Sequence, residues 1–430
     1  MSDTATPDMA PAMASPSQPS AHRSERFEKR LKARYAQERR FKMLGLAAIS
    51  VSVAALILLL VNMALSGIGG FQRTELAVEV DFVPSGLQLE AAQETPIDTL
   101  RMLDDQGLRT VIASAAEQSL GSEGAKQLNN ESWREAAEMI HADPSMLMRE
   151  EVLYLPASAD LSAGFVGEGL PAMRELAQDL REKGLIERNF DWGFFERSDA
   201  TDPQLAGIWG ALKGTVLTML VTFFLAFPIG IMAALYLEEY APKNKWTDFL
   251  EVSINNLAAV PSIIFGLLGL FFLMEFFPNL RSTPIIAGIT LALMTMPVIV
   301  ISGRNAIKAV PPSIRDGALA VGASPVQVVF HHVLPLALPG MLTGTIIGMA
   351  RALGETAPLI LIGLRAFVAT PPEGFTSAAT VLPVQIFLWS DEIDRGFVER
   401  TSAAIIVLLI VLLLMNGIAI YLRNKFEKTW

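Results

Sequence analysis

The segment Asp316-Gly317-Ala318-Leu319-Ala320-Val321-Gly322 lies between two long apolar segments, and Val333-Leu334-Pro335 follows it after a polar turn. Val310-Pro311-Pro312-Ser313 precedes it and predicts a helix start, because proline fixes the backbone of a first turn and serine caps free amides. Gly322 ends or bends that helix, and Ala323-Ser324-Pro325 begins another. The sequence therefore predicts a helix, a glycine elbow and a second helix, set parallel to a membrane surface.

The composition is that of a membrane protein with a soluble part. The chain has 430 residues, is 51% hydrophobic and carries a formal net charge of -10. Negative charge is concentrated between about residues 75 and 200, whereas Lys and Arg gather at residues 23–42 and near the C-terminus. Because basic segments beside apolar spans stay in the cytoplasm, both termini are predicted to be cytoplasmic. The acidic part disfavours a nucleic-acid partner, since phosphate backbones bind basic surfaces.

The sequence offers little that could hold a metal or a cofactor. No cysteine occurs, which excludes disulfides and thiolate zinc sites. Glu138 and His141 have a Glu-x-x-His spacing, but a carboxylate-bridged metal site needs a second such pair, so we expect a solvated helix face. His331 and His332 are adjacent and do not face one ligand sphere from a helix. No P-loop motif occurs either, so the chain is not expected to bind ATP through one. No catalytic constellation stands out, and we expect no catalytic residue and no directly bound cofactor.

Four segments differ in composition. Residues 1–42 are predicted to be a cytoplasmic tail, disordered to residue 22 and then a charged basic helix. Residues 43–65 are long enough to cross a ~30 Å hydrocarbon core and longer than a signal-peptide core, which indicates a retained transmembrane helix. Residues 66–200 are predicted to be a periplasmic domain, and residues 201–430 a membrane domain whose loop covers residues 303–335.

The periplasmic domain is predicted to be mostly helical. Residues 78–82 alternate apolar and acidic side chains, which is typical of a strand, while helical patterns cover residues 97–120, 132–142 and 171–183. Carboxylates such as Glu150 and Glu151 are expected to form a solvated face rather than a pair of catalytic acids. The aromatic residues of Asp191-Trp192-Gly193-Phe194-Phe195 suit a membrane interface.

Five more apolar segments follow, at residues 212–237, 254–277, 283–301, 336–364 and 401–422. Each is long enough to span a membrane. Six crossings from a cytoplasmic N-terminus place the loop around Asp316 and the basic C-terminus in the cytoplasm, as the positive-inside rule requires. The predicted fold class is an all-α membrane protein with six transmembrane helices and a mostly helical periplasmic insert.

The segment 340–364 carries the charges that need an explanation. Gly340, Gly344 and Gly348 recur every fourth residue, which predicts close helix packing, in this chain or against a partner subunit. Arg351 and Glu355 follow, and each charge within a span costs at least ~2.5–3.5 kcal/mol. One interpretation is an ion pair that only holds the helix in place. The other is an anion pathway, in which the guanidinium binds a tetrahedral oxyanion and the carboxylate accepts a proton from phosphate while repelling sulfate.

Several sequence blocks resemble the PstA-type permease subunit of phosphate ABC importers, over roughly residues 190–430. They are Val260-Pro261-Ser262-Ile263-Ile264-Phe265-Gly266-Leu267-Leu268-Gly269-Leu270, Thr290-Leu291-Ala292-Leu293-Met294-Thr295-Met296-Pro297, Ala309-Val310-Pro311-Pro312-Ser313, Gly354-Glu355-Thr356-Ala357-Pro358-Leu359 and Leu382-Pro383-Val384-Gln385-Ile386-Phe387. The loop resembles the coupling loop of ABC-importer permeases, with Asp316-Gly317-Ala318 in place of Glu-Ala-Ala, and with Gly322, Leu334 and Pro335 at the family spacing. His332 stands where the family has isoleucine.

The resemblance implies an ABC-importer permease core in the bacterial inner membrane and a transport subunit rather than an enzyme. It implies phosphate import with a second phosphate permease subunit, a cytoplasmic ATP-binding subunit dimer that uses ATP and Mg, and a periplasmic phosphate-binding protein. Arg351, Glu355 and Thr356 are then expected in the substrate pathway. Two alternatives stay open: a permease for another oxyanion, and a membrane-anchored sensor or scaffold with a periplasmic ligand-binding domain.

Overall fold

A computed structural model describes residues 25–89, 96–167, 169–364, 367–394 and 396–426. The predicted disordered segment 1–22 lies outside these residues. The basic segment and the first apolar segment form one helix, α1 (Glu25–Gly70). The chain divides into two compact units at Asn62 and Met63, and α1 runs across that boundary. Apolar side chains along residues 43–61 are exposed, as expected of a helix whose surroundings are hydrocarbon.

The insert domain (residues 71–200) contains a three-stranded antiparallel sheet as well as helices. The sheet has the order β2-β1-β3, with β1 (Gln72–Asp81) between β2 (Glu150–Pro156) and β3 (Ile186–Phe190). The helices are α2 (Pro96–Asp105), α3 (Leu108–Ala125), α4 (Ser132–Ala142), α5 (Ala159–Val166) and α6 (Pro171–Glu182). The sequence predicted one of these three strands, so the description as all-α does not hold for this domain.

The alternation of apolar residues in β1 builds the core of the insert domain. Leu76, Val78 and Val80 are fully buried and share one apolar cluster with residues of β2 and of the helices. The register pairs Val78 with Leu153 of β2 and Leu76 with Ile186 of β3. Because side chains alternate between the two faces of a strand, this pairing gathers the apolar side chains of all three strands on one face.

Residues 201–426 form a helical core. Its helices are α7 (Trp209–Leu235), α8 (Lys245–Ala258), α9 (Ser262–Leu268), α10 (Met274–Phe276), α11 (Pro284–Lys308), α12 (Pro312–Ala320), α13 (Pro325–Val328), α14 (Leu334–Leu353), α15 (Ala357–Leu361), α16 (Leu382–Ser390) and α17 (Gly396–Phe426). Helix α11 packs against α7, α8 and α14 and so lies at the centre. Three π turns, Tyr236–Tyr240, Gly269–Leu273 and Val329–Val333, interrupt the α-helical geometry.

Among the described residues, five helices are long and apolar enough to cross a membrane, or six if one bent pair counts as a span. That pair is α8 with the helix from Ser262 to Phe276, and its two parts meet at 102°. It occupies the predicted third span, residues 254–277. The predicted span 336–364 is displaced toward the N-terminus, because the helix that is long and apolar enough to cross runs from Pro325 to Leu353 and α15 is a separate helix.

A buried ion cluster joins the insert domain to the last helix. The Asp191 carboxylate accepts from Arg400 of α17 at 2.7 Å and from Arg197 at 2.8 Å. Arg400 also donates to the carbonyl oxygens of Gly70 and Pro203. Burial alone would raise the pKa of Asp191, but the charges of Arg400 and Arg197 outweigh it and lower that pKa below its usual value. The end of α1, the insert domain and α17 therefore share one anchoring point.

Candidate functional site

The segment around Asp316 has the predicted helix and elbow. Asp316, Gly317 and Ala318 lie in α12, and Gly322 follows that helix with φ 89°, in the left-handed region that glycine adopts without strain. Ser324 then caps α13, because its hydroxyl accepts from the Gln327 amide while the Gln327 side chain accepts from the Ser324 amide.

The second half of the loop differs from the prediction. Helix α13 continues through the π turn Val329–Val333 into α14, so residues 325–353 form one long helix. Leu334 and Pro335 lie in its middle part and do not mark a return from a separate surface helix. Because Pro335 has no amide proton, α-helical bonding is interrupted before it, and the π turn takes up the change in register.

The loop has a buried side and an exposed side. Ala318 is buried in an apolar cluster with Val310, Val328 and Val333. Asp316 and Gly317 are exposed, and so are the apolar side chains of Leu319 and of Val321, the latter at 85%. This side of the loop is therefore not covered by the rest of the described chain.

Arg351 and Glu355 are paired, although they do not share a helix. Arg351 lies in the last turn of α14, and Glu355 lies in the turn after it. The Arg351 Nε atom is 3.4 Å from Glu355 Oε1, and the two side chains are 49% and 18% exposed. Thr356 begins α15, since its carbonyl oxygen accepts from the amides of Leu359 and Ile360. The three predicted pathway residues therefore surround a break in the helix.

A second broken segment packs against this break. The chain turns sharply between Ala258 and Ser262, and Gly266 of α9 lies against Pro358 of α15, where an added Cβ would be 2.6 Å from the Pro358 Cα. Irregular backbone at membrane depth is tolerated where it is buried in protein or lines an aqueous cavity, and discontinuous helices mark the binding sites of many transporters. Pro261 is a local signal for the turn between α8 and α9, because proline disfavours a helical conformation at the preceding residue, Val260.

The three glycines of α14 lie along its contact with α11 in the same chain. An added Cβ at Gly340 would be 2.7 Å from Ala306 Cβ, and one at Gly348 would be 2.8 Å from Thr295 Cγ2. One at Gly344 would collide with the side chain of Ser302. The small residues therefore allow two central helices to approach closely.

Of the residues considered for metal binding, His141 has a polar partner in the insert domain. His141 Nδ1 is 2.7 Å from the hydroxyl of Thr99. Within the described part of the chain, no group of three or more His, Asp or Glu side chains could hold a metal ion. Two arginines of the loop instead pair with carboxylates that follow α7: Arg315 donates to Glu239 and Arg304 donates to Glu238.

The described helices define the class of the protein: it is a multi-pass membrane protein. Two families match the chain. The family described as "Binding-protein-dependent transport system inner membrane component" matches residues 226–428, and one described as "Domain of unknown function (DUF3333)" matches residues 28–175. The first range contains the loop and the Arg351–Glu355 pair, and the second contains most of the insert domain.

Curated relatives agree with the first match. The phosphate transport system permease protein PstA of Yersinia pestis is 30% identical over 239 residues, which cover 54% of this chain and 78% of that protein. PstA of Mycobacterium leprae is 30% identical over 228 residues, 52% of this chain and 73% of that protein. The chain belongs to the family of binding-protein-dependent transport system inner membrane components, which are ABC transporter permeases, and its relatives within that family include PstA proteins.

Two further similarities are partial. The probable ABC transporter permease protein YqgI of Bacillus subtilis is 33% identical over 173 residues, 40% of this chain, so the chain spans 56% of the length of that relative. The solved inward-facing structure of the MetNI methionine ABC transporter, in its CY5 native crystal form, matches with a TM-score of 0.41 and 21% identity, over 51% of this chain and 98% of that chain.

Proposed function

We propose that this chain is the transmembrane permease subunit of an ATP-driven phosphate import system. The observation that carries the proposal is the similarity to relatives named phosphate transport system permease protein PstA, at 30% identity from two organisms. The family match extends over both regions that transport needs, the exposed loop and the broken helix with its charge pair.

The loop is proposed to engage a separate ATPase. Asp316, Gly317, Ala318 and Gly322 shape an exposed elbow, and Leu334 and Pro335 lie in the helix that leads from it into the core. A cytoplasmic dimer of ATP-binding subunits would press on the exposed side, and a movement of the loop would then reach the spans. ATP and Mg would be bound by that partner. This proposal places the loop and both chain termini in the cytoplasm, and the insert domain on the outer side.

Arg351, Glu355 and Thr356 are proposed to line the substrate pathway together with a second permease subunit. The Arg351 side chain is half exposed and its contact with Glu355 is long, so donors remain available to an anion. A guanidinium presents a planar fork of donors that suits phosphate oxygens. Glu355 can accept a proton from partly protonated phosphate, whereas fully ionised sulfate has no proton to give. A periplasmic phosphate-binding protein would deliver the substrate.

The family match bears differently on the two alternatives, a permease for another oxyanion and a membrane-anchored sensor or scaffold. Another oxyanion would use the same guanidinium chemistry, so direct competition is needed to exclude it. Membership in the permease family disfavours a sensor or scaffold, because a sensor needs neither a broken helix nor a charge pair among its spans.

The test is ATP-dependent uptake of labelled phosphate in inner-membrane vesicles that lack and then regain this subunit, with the binding protein supplied. Excess unlabelled sulfate is the competitor, and vesicles carrying the subunit with an inactive ATPase are the control. We expect uptake that requires the subunit and ATP and is unaffected by sulfate. Uptake that is indifferent to the subunit would overturn the transport proposal, and competition by sulfate would overturn its substrate.

A further inference from the structure

Two adjacent carboxylates lie at the end of α7. Glu238 and Glu239 belong to the π turn Tyr236–Tyr240, which directly follows the last residue of that helix. Both side chains are only 12% exposed, so each must be paired. π turns of this kind occur frequently at functional sites.

Glu239 is bound by an arginine of the loop itself. Arg315, in α12, donates from Nη2 to Glu239 Oε1 at 2.7 Å. The same guanidinium donates from Nη1 to the Val310 carbonyl at 2.7 Å and from Nη2 to the Ile307 carbonyl at 3.0 Å. One side chain therefore ties α12 to the C-terminal end of α11 and to the end of α7.

Glu238 connects the same place to α11. The Arg304 Nε atom donates to Glu238 at 2.6 Å, and Arg304 Nη2 lies 2.8 Å from Glu251 of α8. Lys308, one turn after Arg304, approaches Glu238 at 3.4 Å. We call Glu238, Glu239, Arg304 and Arg315 the charged brace. It joins the end of α7 to α11 and α12 at the base of the loop, and Arg304 also connects it to Glu251 of α8.

The brace restricts how the loop can move. The side of α12 that carries Ala318 is packed on apolar residues of α7, α11 and α14, while the opposite side is open. A force applied to the open side either separates Arg315 from Glu239 or moves the end of α7 together with the loop. Separation is costly, because it leaves the largely buried Glu239 carboxylate without its partner. Movement of α7 together with the loop keeps the guanidinium of Arg315 on its acceptors. Joint movement of α7 and the loop is therefore favoured.

We propose that Arg315 and Glu239 are positioning residues that transmit displacement of the loop to α7, so that ATP hydrolysis by the partner and opening of the pathway stay coupled. This proposal rests on the proposed function, because it assumes that a partner presses on the loop. It assigns the coupling to two residues that touch neither the substrate nor the nucleotide.

The first test measures ATP hydrolysis and phosphate uptake in proteoliposomes that hold the complete transporter. Arg315→Gln and Glu239→Gln should each lower the phosphate taken up per ATP about tenfold, which is a typical size for coupling between sites. The double variant should do no worse than either single one, because both remove the same interaction. Arg315→Lys should lie between, since it keeps the charge but loses the fork.

Arg149→Gln and Glu151→Gln provide the matched control, because this ion pair of 2.6 Å lies on the surface of the insert domain. Both should leave uptake per ATP unchanged. Normal uptake per ATP in Arg315→Gln and Glu239→Gln overturns the proposal. A double variant whose loss of uptake per ATP is the product of the two single losses overturns it too. Lower amounts of assembled transporter with a normal ratio show a merely structural role and overturn it as well.

The second test does not depend on the substrate. The chain has no cysteine, so spin labels can be attached at Tyr240→Cys and Val321→Cys, which are both exposed. With the partners bound, the distance between the labels should stay constant when ATP is added, because α7 and the loop move together. In Glu239→Gln that distance should change. If ATP changes the distance between the labels equally with and without the Glu239→Gln substitution, the proposed role of Arg315 and Glu239 is overturned. If the unmodified transporter imports no phosphate, only the proposed substrate is overturned.

Discussion

At the scale of single residues, the Arg351–Glu355 pair carries the chemistry of the proposed pathway. The guanidinium is half exposed at the end of α14, and its carboxylate partner lies in irregular backbone. An ion pair that only held a helix together would be expected within the regular turns of that helix. The half-exposed guanidinium instead keeps donors that Glu355 does not occupy, and we propose that an anion binds them.

Substitution of Arg351 should therefore affect transport more than folding. Arg351→Ala should lower the rate of phosphate uptake about tenfold or more, because hydrogen bonds to charged groups contribute about 1.5–3 kcal/mol. Arg351→Lys should retain part of the rate, since it keeps the charge and loses the fork. Initial uptake rates, normalised to the amount of subunit in the membrane, measure the effect. Arg149→Ala, in the exposed pair of the insert domain, is the control and should have no effect.

Glu355 distinguishes the pathway from a structural ion pair. Glu355→Gln removes the proton acceptor and the repulsive charge while it preserves the shape of the side chain. Uptake should then become sensitive to competition by sulfate, whereas we expect uptake by the unmodified protein to be unaffected by it. If Arg351→Ala and Glu355→Gln lower only the amount of subunit in the membrane, and leave the uptake rate and selectivity per molecule intact, the pair is structural and the pathway is located elsewhere.

Some of the charged residues have a local signal in the sequence, and those of the charged brace do not. The charges at Arg351 and Glu355 stood out because they interrupt an apolar run, and Gly322 because it follows a helix. Glu238, Glu239, Arg304 and Arg315 lie at the ends of apolar runs, where charges are ordinary. Only the folded chain brings Glu239 to Arg315, 76 residues away. Long-range pairing of this kind has no local signal in the sequence.

At the scale of elements, the continuous helices were predictable, whereas the angle at which a broken helix bends was not. Helix α17 (Gly396–Phe426) includes its predicted span, and α11 (Pro284–Lys308) begins within one residue of its own. The segment 254–277 is also predicted as a span, yet the chain bends by 102° within it, between Ala258 and Ser262. Hydropathy averages the composition of a window, so it does not indicate where the backbone bends within that window. The strands β2 and β3 were missed for a related reason, since pairing with β1 stabilises them more than their own patterns do.

The contact between α11 and α14 makes a prediction at this scale. Gly344→Leu places a branched side chain where even a Cβ would collide with Ser302, so the two helices must separate. The free energy of unfolding should fall by about 1–3 kcal/mol, as in other overpacked cores. Thermal unfolding of the purified subunit in detergent measures this loss. Gly417→Leu in α17 is the matched control, because an added Cβ there meets no atom within 4 Å, and it should leave the unfolding temperature unchanged.

At the scale of the whole molecule, the number of crossings decides which surfaces share a compartment. The insert domain and the loop are separated along the chain by α7, by the bent pair and by α11. Helices α7 and α11 are each long and apolar enough to cross once. If the bent pair also crosses, the insert domain and the loop lie on opposite sides of the membrane, and if it turns back they lie on the same side. The choice between five and six spans is therefore a choice between two topologies, and only one of them allows the proposed import mechanism.

Labelling of single cysteines separates these topologies, since the natural chain contributes no background. Met148→Cys in the insert domain and Val321→Cys in the loop are suitable, because these side chains are 84% and 85% exposed. We expect a membrane-impermeant maleimide to modify Met148→Cys in intact spheroplasts, and to modify Val321→Cys only after lysis. The cysteine-free protein and the lysed sample are the controls. Modification of both positions before lysis would show that the bent pair turns back within the membrane, and it would place the loop beyond the reach of a cytoplasmic ATPase.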